Sequence, residues 1–274
     1  MIDADSRLMC PLCGASFSLV EGKSLICEKS HCFDLSARGY VNFVPNQKQT
    51  FSAYPKELFK NRTGVFESGA YDKVASEICD LSLSYFGNGR KFSMLDAGCG
   101  EGFFAVKLSM IPCIDVLAVD ISRDAIIAAC KRKSSVKWMV ADVTGLPIRG
   151  GGVDAILNML SSANYAEFKR VLAAGGLIIK IVPGKDYLKE IRKIADQKLR
   201  NKEYSENDVA EYFEKHVKLV EKRALYYKWP VDAALFKKFT EMTPMTQGKN
   251  MENTYSGDVA HITIDLKILA GTPM

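Results

Sequence analysis

A parallel α/β sheet with a small metal-bound segment ahead of it is the fold this sequence predicts, on three observations. From residue 92 onward, short apolar runs alternate with stretches of helical periodicity. One of those runs breaks at Gly98, Gly100 and Gly102 before a helix begins. Four of the eight cysteines crowd into the first 32 residues. The first two observations describe strands joined by crossover helices, which bury a sheet on both faces. The third describes a segment too small to fold on apolar burial alone.

The bulk properties narrow the field. With 274 residues, 47% hydrophobic and 25% charged, the chain holds one large core plus an accessory unit and is not a disordered protein. A net charge of +5 is compatible with a nucleic-acid partner without demonstrating one. No run approaches the roughly 18–20 apolar residues of a membrane span. The opening MIDADSRLMCPLC places acids where a signal peptide is basic and then apolar, so a cytoplasmic protein with reduced thiols is expected.

Cys10-Pro11-Leu12-Cys13 has the spacing of a zinc knuckle, followed by Gly14. Thirteen residues later, Cys27-Glu28-Lys29-Ser30-His31-Cys32 offers a second pair, and either His31 or Cys32 completes a tetrahedral set. A hairpin about Glu21-Gly22-Lys23 brings the two pairs together. Such a closed site has a structural role, because four protein ligands leave no open position for chemistry. Loss of Cys10 is expected to unfold this ribbon while ligand binding elsewhere in the chain survives. A turn and strand reach Val44, and Pro45 to Ser52 has linker composition. Helices are predicted over 56–66 and 71–86, the first carrying Lys56, Lys60 and Arg62 on a face that is either solvated or opposed to phosphates.

In the alternating part, strands are predicted at 94–96, 115–120, 136–142, 152–158 and 177–182, with helices at 103–111, 122–131 and 166–172. The glycines let the backbone turn sharply and admit a ligand closely, and by themselves they point to a small anion. The acids change that. Asp96, Asp120 and Asp142 close successive strands, and three carboxylates suit a cationic, amino-bearing nucleoside better than a pyrophosphate. S-adenosylmethionine fits this set better than a nicotinamide cofactor does. Asn158, closing the fourth strand, is counted with the same edge. Beyond it, a charged helix over 185–203, a strand over 217–229, a helix over 232–242 and a strand over 260–269 complete the chain. His216 and His261 stand alone and are read as structural.

The segments LDAGCGEG, AVDIS, VADVTGLPI and LAAGGLIIKIVPG resemble class I S-adenosylmethionine-dependent methyltransferases. CPLC…CEKSHCFDLSARGYVNFVP, KELFKNRTGVFESGAYDKV and a late Glu241-Met242-Thr243-Pro244 narrow the likeness. Along nearly its whole length the chain resembles the 23S ribosomal RNA guanine-N1 methyltransferase family. The resemblance implies a Rossmann-like seven-stranded methyltransferase sheet behind a small N-terminal zinc-binding domain. It implies a ribbon over 1–45, a linker with helices over 46–90 and the methyltransferase domain over 91–274. It assigns zinc to Cys10, Cys13, Cys27 and His31, and S-adenosylmethionine contacts to Tyr71, Gly100 and Glu101. A family histidine after the fifth strand corresponds to Tyr187. With Asp96, Gly98, Gly102, Asp120, Asp142 and Asn158, these form the expected cofactor set. The partner implied is 23S ribosomal RNA, with no membrane, and the resemblance allows a homodimer.

Two departures stand out. Leu160-Ser161-Ser162 replaces a Tyr-Ala/Ser-Pro segment where the acceptor base is expected, and Thr63 replaces an arginine beside Arg62. No side chain is singled out to accept the guanine N1 proton. Two other readings compete: a methyltransferase acting on another RNA, a small molecule or a protein, and a non-catalytic RNA-binding protein.

Overall fold

The computed structural model describes residues 5–44, 55–196, 206–243, 246 and 259–274. The expected linker at 45–52 and the end of the charged helix predicted over 185–203 lie outside them.

The sequence places apolar side chains on both faces of its central strands, and the structure covers both. β5 (Phe92–Ala97) is buried at all six positions. In β6 (Ile114–Asp120), Val116 and Ala118 join one core while Leu117 and Val119 join the other, as the two-residue period of a strand requires. β7 (Lys137–Val140), β8 (Val153–Met159) and β9 (Leu172–Pro183) continue the parallel array. The long β10 (Val217–Pro230) and β11 (His261–Pro273) close it as an antiparallel hairpin laid against β9.

The order is β10-β11-β9-β8-β5-β6-β7, with β4 (Tyr40–Asn42) added beside β7. Seven strands thus form the expected sheet, and an eighth comes from the N-terminal segment. The order reverses at β5, which has β6 on one side and β8 on the other, so the crevice for a ligand opens at the carboxyl ends of these strands.

Helices α2 (Asp72–Phe86), α3 (Phe103–Ser109), α4 (Arg123–Ala129) and α8 (Ala233–Glu241) pack on one face through Val74, Ile78, Phe104, Ile126 and Phe236. α1 (Lys56–Glu67) lies across this layer, and α6 (Lys189–Asp196) follows β9. The opposite face carries α5 (Tyr165–Val171) and α7 (Glu206–Glu214) through Phe168 and Phe213. The connection from β7 to β8 contains no helix, and its Leu146 and Ile148 are buried against the N-terminal segment.

That segment is built from β1 (Phe17–Val20), β2 (Ser24–Cys27) and β3 (Cys32–Asp34), an antiparallel sheet turning at residues 21–23 as predicted. Phe17, Phe33 and Phe43 pack their rings at centroid separations of 5.1–5.8 Å, too little apolar material to stand alone. The deficit is met by the large sheet. Leu8, Cys10, Leu25, Phe33 and Val41 share one core with Leu117, Val119 and Met139. Leu8 bridges to Ile148, the Met9 amide donates to the Pro147 carbonyl at 3.1 Å, and the Phe43 amide donates to that of Val140 at 2.9 Å. Asp5, Arg7, Lys137 and Asp115 add an ion cluster at the same junction, with contacts of 2.5–2.8 Å. The ribbon thus occupies the face that a crossover helix after β7 would otherwise cover.

Candidate functional site

The hairpin brings the four expected metal ligands together. The ligand atoms of Cys10, Cys13, Cys27 and His31 all lie within 4.8 Å of one another. Cys13 Sγ is 3.7 Å from Cys27 Sγ, and His31 Nδ1 is 3.5 Å from Cys10 Sγ and 3.4 Å from Cys27 Sγ. A tetrahedral zinc with Zn–S of about 2.3 Å has ligand–ligand edges of about 3.5–3.8 Å, so this donor set fits that ion. The choice between the last two ligands follows from strand geometry. Cys32 opens β3 with its thiol exposed and directed toward Asp34, 3.7 Å from Oδ1. The His31 amide also donates to Cys27 Sγ at 3.3 Å, which holds the second knuckle in shape.

At the glycine turn, Gly98, Gly100 and Gly102 have φ of 83°, 55° and 78°. This left-handed region costs a residue with a Cβ roughly 1–2 kcal/mol. A Cβ on Gly102 would run into the Trp138 ring and stand 2.9 Å from Ala129 Cβ; one on Gly98 would collide with the Ser161 side chain.

The amides that a strand–turn–helix leaves free are taken by the protein's own acids. Gly100 N–H donates to Asp120 Oδ2 at 2.8 Å, while Ser122 N–H donates to Asp120 Oδ1 at 2.8 Å. The amide of Ala105, at the start of α3, donates to Asp96. The small anion suggested by the glycines alone is therefore supplied internally, and the site carries more acids than bases. Burial, reinforced by Asp120 and Glu101, pushes the Asp96 carboxyl up to about 8. Burial also raises Glu101 to about 7, against the pull of Arg62 and Arg132, and raises Asp120. Glu101 is 2% exposed, and its Oε2 has no hydrogen-bond partner. A buried carboxylate oxygen without a donor calls for a partner, and a ligand's hydroxyl or amino group would satisfy it. This environment fits a cationic molecule carrying hydroxyl and amino donors.

Arg62, expected on the solvated or phosphate-facing side of its helix, instead reaches inward. Its guanidinium stands 3.9 Å from Glu101 Oε2 and 3.4 Å from the Met242 carbonyl. Lys56 and Lys60 of the same helix remain exposed. Tyr71 and Tyr187, 116 positions apart in the chain, meet through their hydroxyls at 2.6 Å. Phe66 and Phe104 wall Tyr71 in, with ring centroids 4.9 and 6.5 Å away, and burial raises both phenols. Both phenols also feel the charge of Arg62, the residue that faces Glu101.

The remaining two predicted residues are engaged elsewhere. Asp142 lies just beyond β7, where its carboxylate accepts from the Thr144 amide at 2.8 Å and shapes its own loop. Asn158 is fully buried and donates to the Ala97 and Ser162 carbonyls at 2.7 and 3.1 Å, tying the glycine turn to the loop after β8. Its Oδ1 accepts from Lys180 Nζ at 2.5 Å, and Lys180 also donates to the Ser161 carbonyl at 2.5 Å. Lys180 is 4% exposed, and burial lowers it to about 8. It was not among the residues expected at the site. The signal that marks it is a single cation inside the run Leu177–Val182, where every other side chain is apolar. Together Lys180 and Asn158 hold Leu160, at φ 48°, and Ser161 over the turn.

Comparison with known proteins adds independent findings. A family model described as "RlmA, N-terminal" matches residues 8–50, and one described as "Methyltransferase domain" matches residues 94–176. YxjB of Bacillus subtilis (strain 168), placed by its name among the 23S rRNA (guanine-N(1)-)-methyltransferases, is 34% identical over 276 residues, covering 97% of each chain. The 23S rRNA (guanine(748)-N(1))-methyltransferase of Streptomyces fradiae is 27% identical over 215 residues, covering 78% of this chain and 76% of its own.

Proposed function

The chain belongs to the 23S rRNA guanine-N1 methyltransferase family, and on that premise we propose that it moves the methyl group of S-adenosylmethionine to N1 of a guanine in 23S ribosomal RNA. The observation that carries this reading is the joining of two parts. A ribbon of the family's own type is fused, through one core, to a glycine turn whose surplus of buried carboxylates suits a cationic methyl donor.

In this reading Glu101, Asp120 and the turn at Gly98, Gly100 and Gly102 hold the donor, with Tyr71 and Tyr187 beside it. Asp96 acts from beneath the turn through the Ala105 amide. Asp142 and Asn158 act by shaping the loops on either side. The sulfonium of the donor supplies an already activated methyl group. The protein's own task is to align it with the acceptor nitrogen and to exclude water. The loop 160–162, fixed by Lys180 and Asn158, lies on the acceptor side. A paired guanine has its N1 occupied, so the target is an unpaired or extruded base. The division into a ribbon (1–45), a connecting region (46–90) and a catalytic part (91–274) belongs to the same proposal. So do a cytoplasmic setting and a homodimer, the latter to be tested by light scattering. Among the described residues no helix is long and apolar enough to cross a membrane.

The test is methyl transfer from labelled donor to 23S ribosomal RNA, followed by reverse transcription, because a methyl on N1 blocks base pairing and stops the polymerase. A new stop at one guanine is expected. Transfer to a small molecule or protein with the RNA left untouched would refute the reading.

A further inference from the structure

Next to the acceptor loop, on the ribbon's side of the sheet, α5 and α7 enclose a groove of about 560 Å³ that no part of the donor site uses. That volume falls within the roughly 300–1,000 Å³ usual for small-ligand sites. Its two upper walls are the continuations of segments already at the site: Val143 and Thr144 follow Asp142, and Ser162 to Asn164 follow the loop held by Lys180. The groove therefore borders the acceptor loop.

The lining is chemically distinctive. Tyr165 stacks on His216 at 5.1 Å with an interplanar angle of 18°, and Tyr212 leans on His216 at 4.5 Å. The His216 ring is fixed by a 2.9 Å hydrogen bond between its Nδ1 and the Tyr212 carbonyl oxygen. Tyr165 is buried, but Tyr212 leaves 53% of its surface in solvent. The charged side chains among the described lining residues are Lys169, bonded to the Met274 carbonyl, and the exposed Lys215. Exposed aromatic surface at Tyr212 and His216 beside the Lys215 cation matches single-stranded nucleic acid. Bases stack on the rings and phosphates sit at the lysines.

We infer that this groove docks an unpaired nucleotide adjoining the methylated guanine, its base against Tyr212 and His216 and its phosphate at Lys215. The inference rests on the RNA reading above and adds a subsite to it. The full chain is tested by methyl transfer to a 23S ribosomal RNA fragment, with donor affinity measured calorimetrically on the same preparations. Tyr212→Ala should raise KM for RNA about tenfold, the loss of one stacked base, with kcat and donor affinity unchanged. Lys215→Ala should reduce the slope of log KM against log salt by about 0.7, one single-strand phosphate contact. Wild-type KM and slope in both variants would overturn the subsite while leaving the RNA reading intact. A wild-type protein that leaves the RNA unmethylated would sink the reading first, and the groove with it. If Tyr212→Ala also loses donor binding, its fold is damaged and the Lys215→Ala slope decides. A groove that instead captures a peptide, with RNA kinetics unmoved, likewise refutes the inference.

Discussion

The ribbon and the glycine turn are both binding sites, and they balance charge in opposite ways. In the ribbon, four ligand atoms from two knuckles gather within 4.8 Å of one another, so the whole donor set comes from 22 residues of chain. At the turn, parts from α1, β5, β6 and the segment after β9 converge on a surplus of acids, and Glu101 Oε2 is left without a hydrogen-bond donor. The first site is shaped for one ion and then closed. The second is held open, out of charge balance, for a ligand that must come and go. The contrast separates a structural centre from a working one without reference to any relative.

The largest effect should come from removing the metal. Sequence alone treats the ribbon as a separate module whose loss spares donor binding. The shared core of Leu8, Phe33 and Val41 with Val119 and Met139 leads to a different expectation. Stripping zinc with a chelator, or making Cys10→Ser, should lower the main melting transition by about 10 °C or more, because several kcal/mol are lost from a chain of this size. Donor binding should fall with it. An unchanged main transition, followed by circular dichroism, would show that the ribbon is independent after all.

Next come the glycines. Gly102→Ala combines a left-handed φ of 78° with intrusion on Trp138 and Ala129, and should cost about 2–4 kcal/mol in denaturant melts. Gly100→Ala meets only the Arg62 guanidinium at 3.5 Å, so its stability cost should be about 1–2 kcal/mol. A bulkier residue at Gly100 should abolish donor binding, and full activity in that variant would remove the turn from the site. Equal stability losses at the two positions would erase the distinction between packing and ligand approach.

The open charge balance should be visible in pH. Asp96 and Glu101 titrate near 8 and 7 in the fold, above their ordinary values of 3.8 and 4.5. Over this window the ligand-free fold holds protons that the unfolded chain has released, so its stability should fall as pH rises from about 4 to 8. A bound cation favours the ionised acids. Donor affinity should therefore rise about tenfold between pH 6 and 8, with proton uptake by the buffer seen in calorimetry. A flat affinity profile would mean that these acids do not face the donor.

What was legible in the sequence follows the same division. Local spacing revealed the knuckles, the hairpin and every strand of the large sheet, since each depends on neighbours within a few residues. It did not reveal that Tyr40–Asn42 would extend that sheet, because pairing with β7 is a contact across almost a hundred residues. It placed Asp96, Asp120 and Glu101 at the turn but not the inward reach of Arg62, since a helix face reads as solvated until its neighbour is known. Spacing left His31 and Cys32 open and the resemblance favoured His31; the structure groups His31 with the three cysteines and turns Cys32 toward Asp34. Asp142 and Asn158 read as ligand contacts; in the fold Asp142 accepts from its own loop, while Asn158 joins Ala97 of β5, Ser162 and Lys180 of β9.

Lys180 offers the finest test of how the open site is kept in shape. Its ammonium is buried with two neutral acceptors, and burial alone lowers its pKa to about 8. Lys180→Met keeps the length of the side chain and removes the charge. The desolvation relieved offsets the two bonds lost, so stability should change by less than about 1.5 kcal/mol. The consequence should appear in the chemistry, because Ser161 and Leu160 lose their brace above the turn. A fall in kcat of about fivefold is expected, with donor affinity and KM for RNA near wild type, since a small misplacement of reacting groups costs rate more than binding. If donor affinity collapses instead, Lys180 supports the turn itself, and the acceptor loop is not a separate part of the machine.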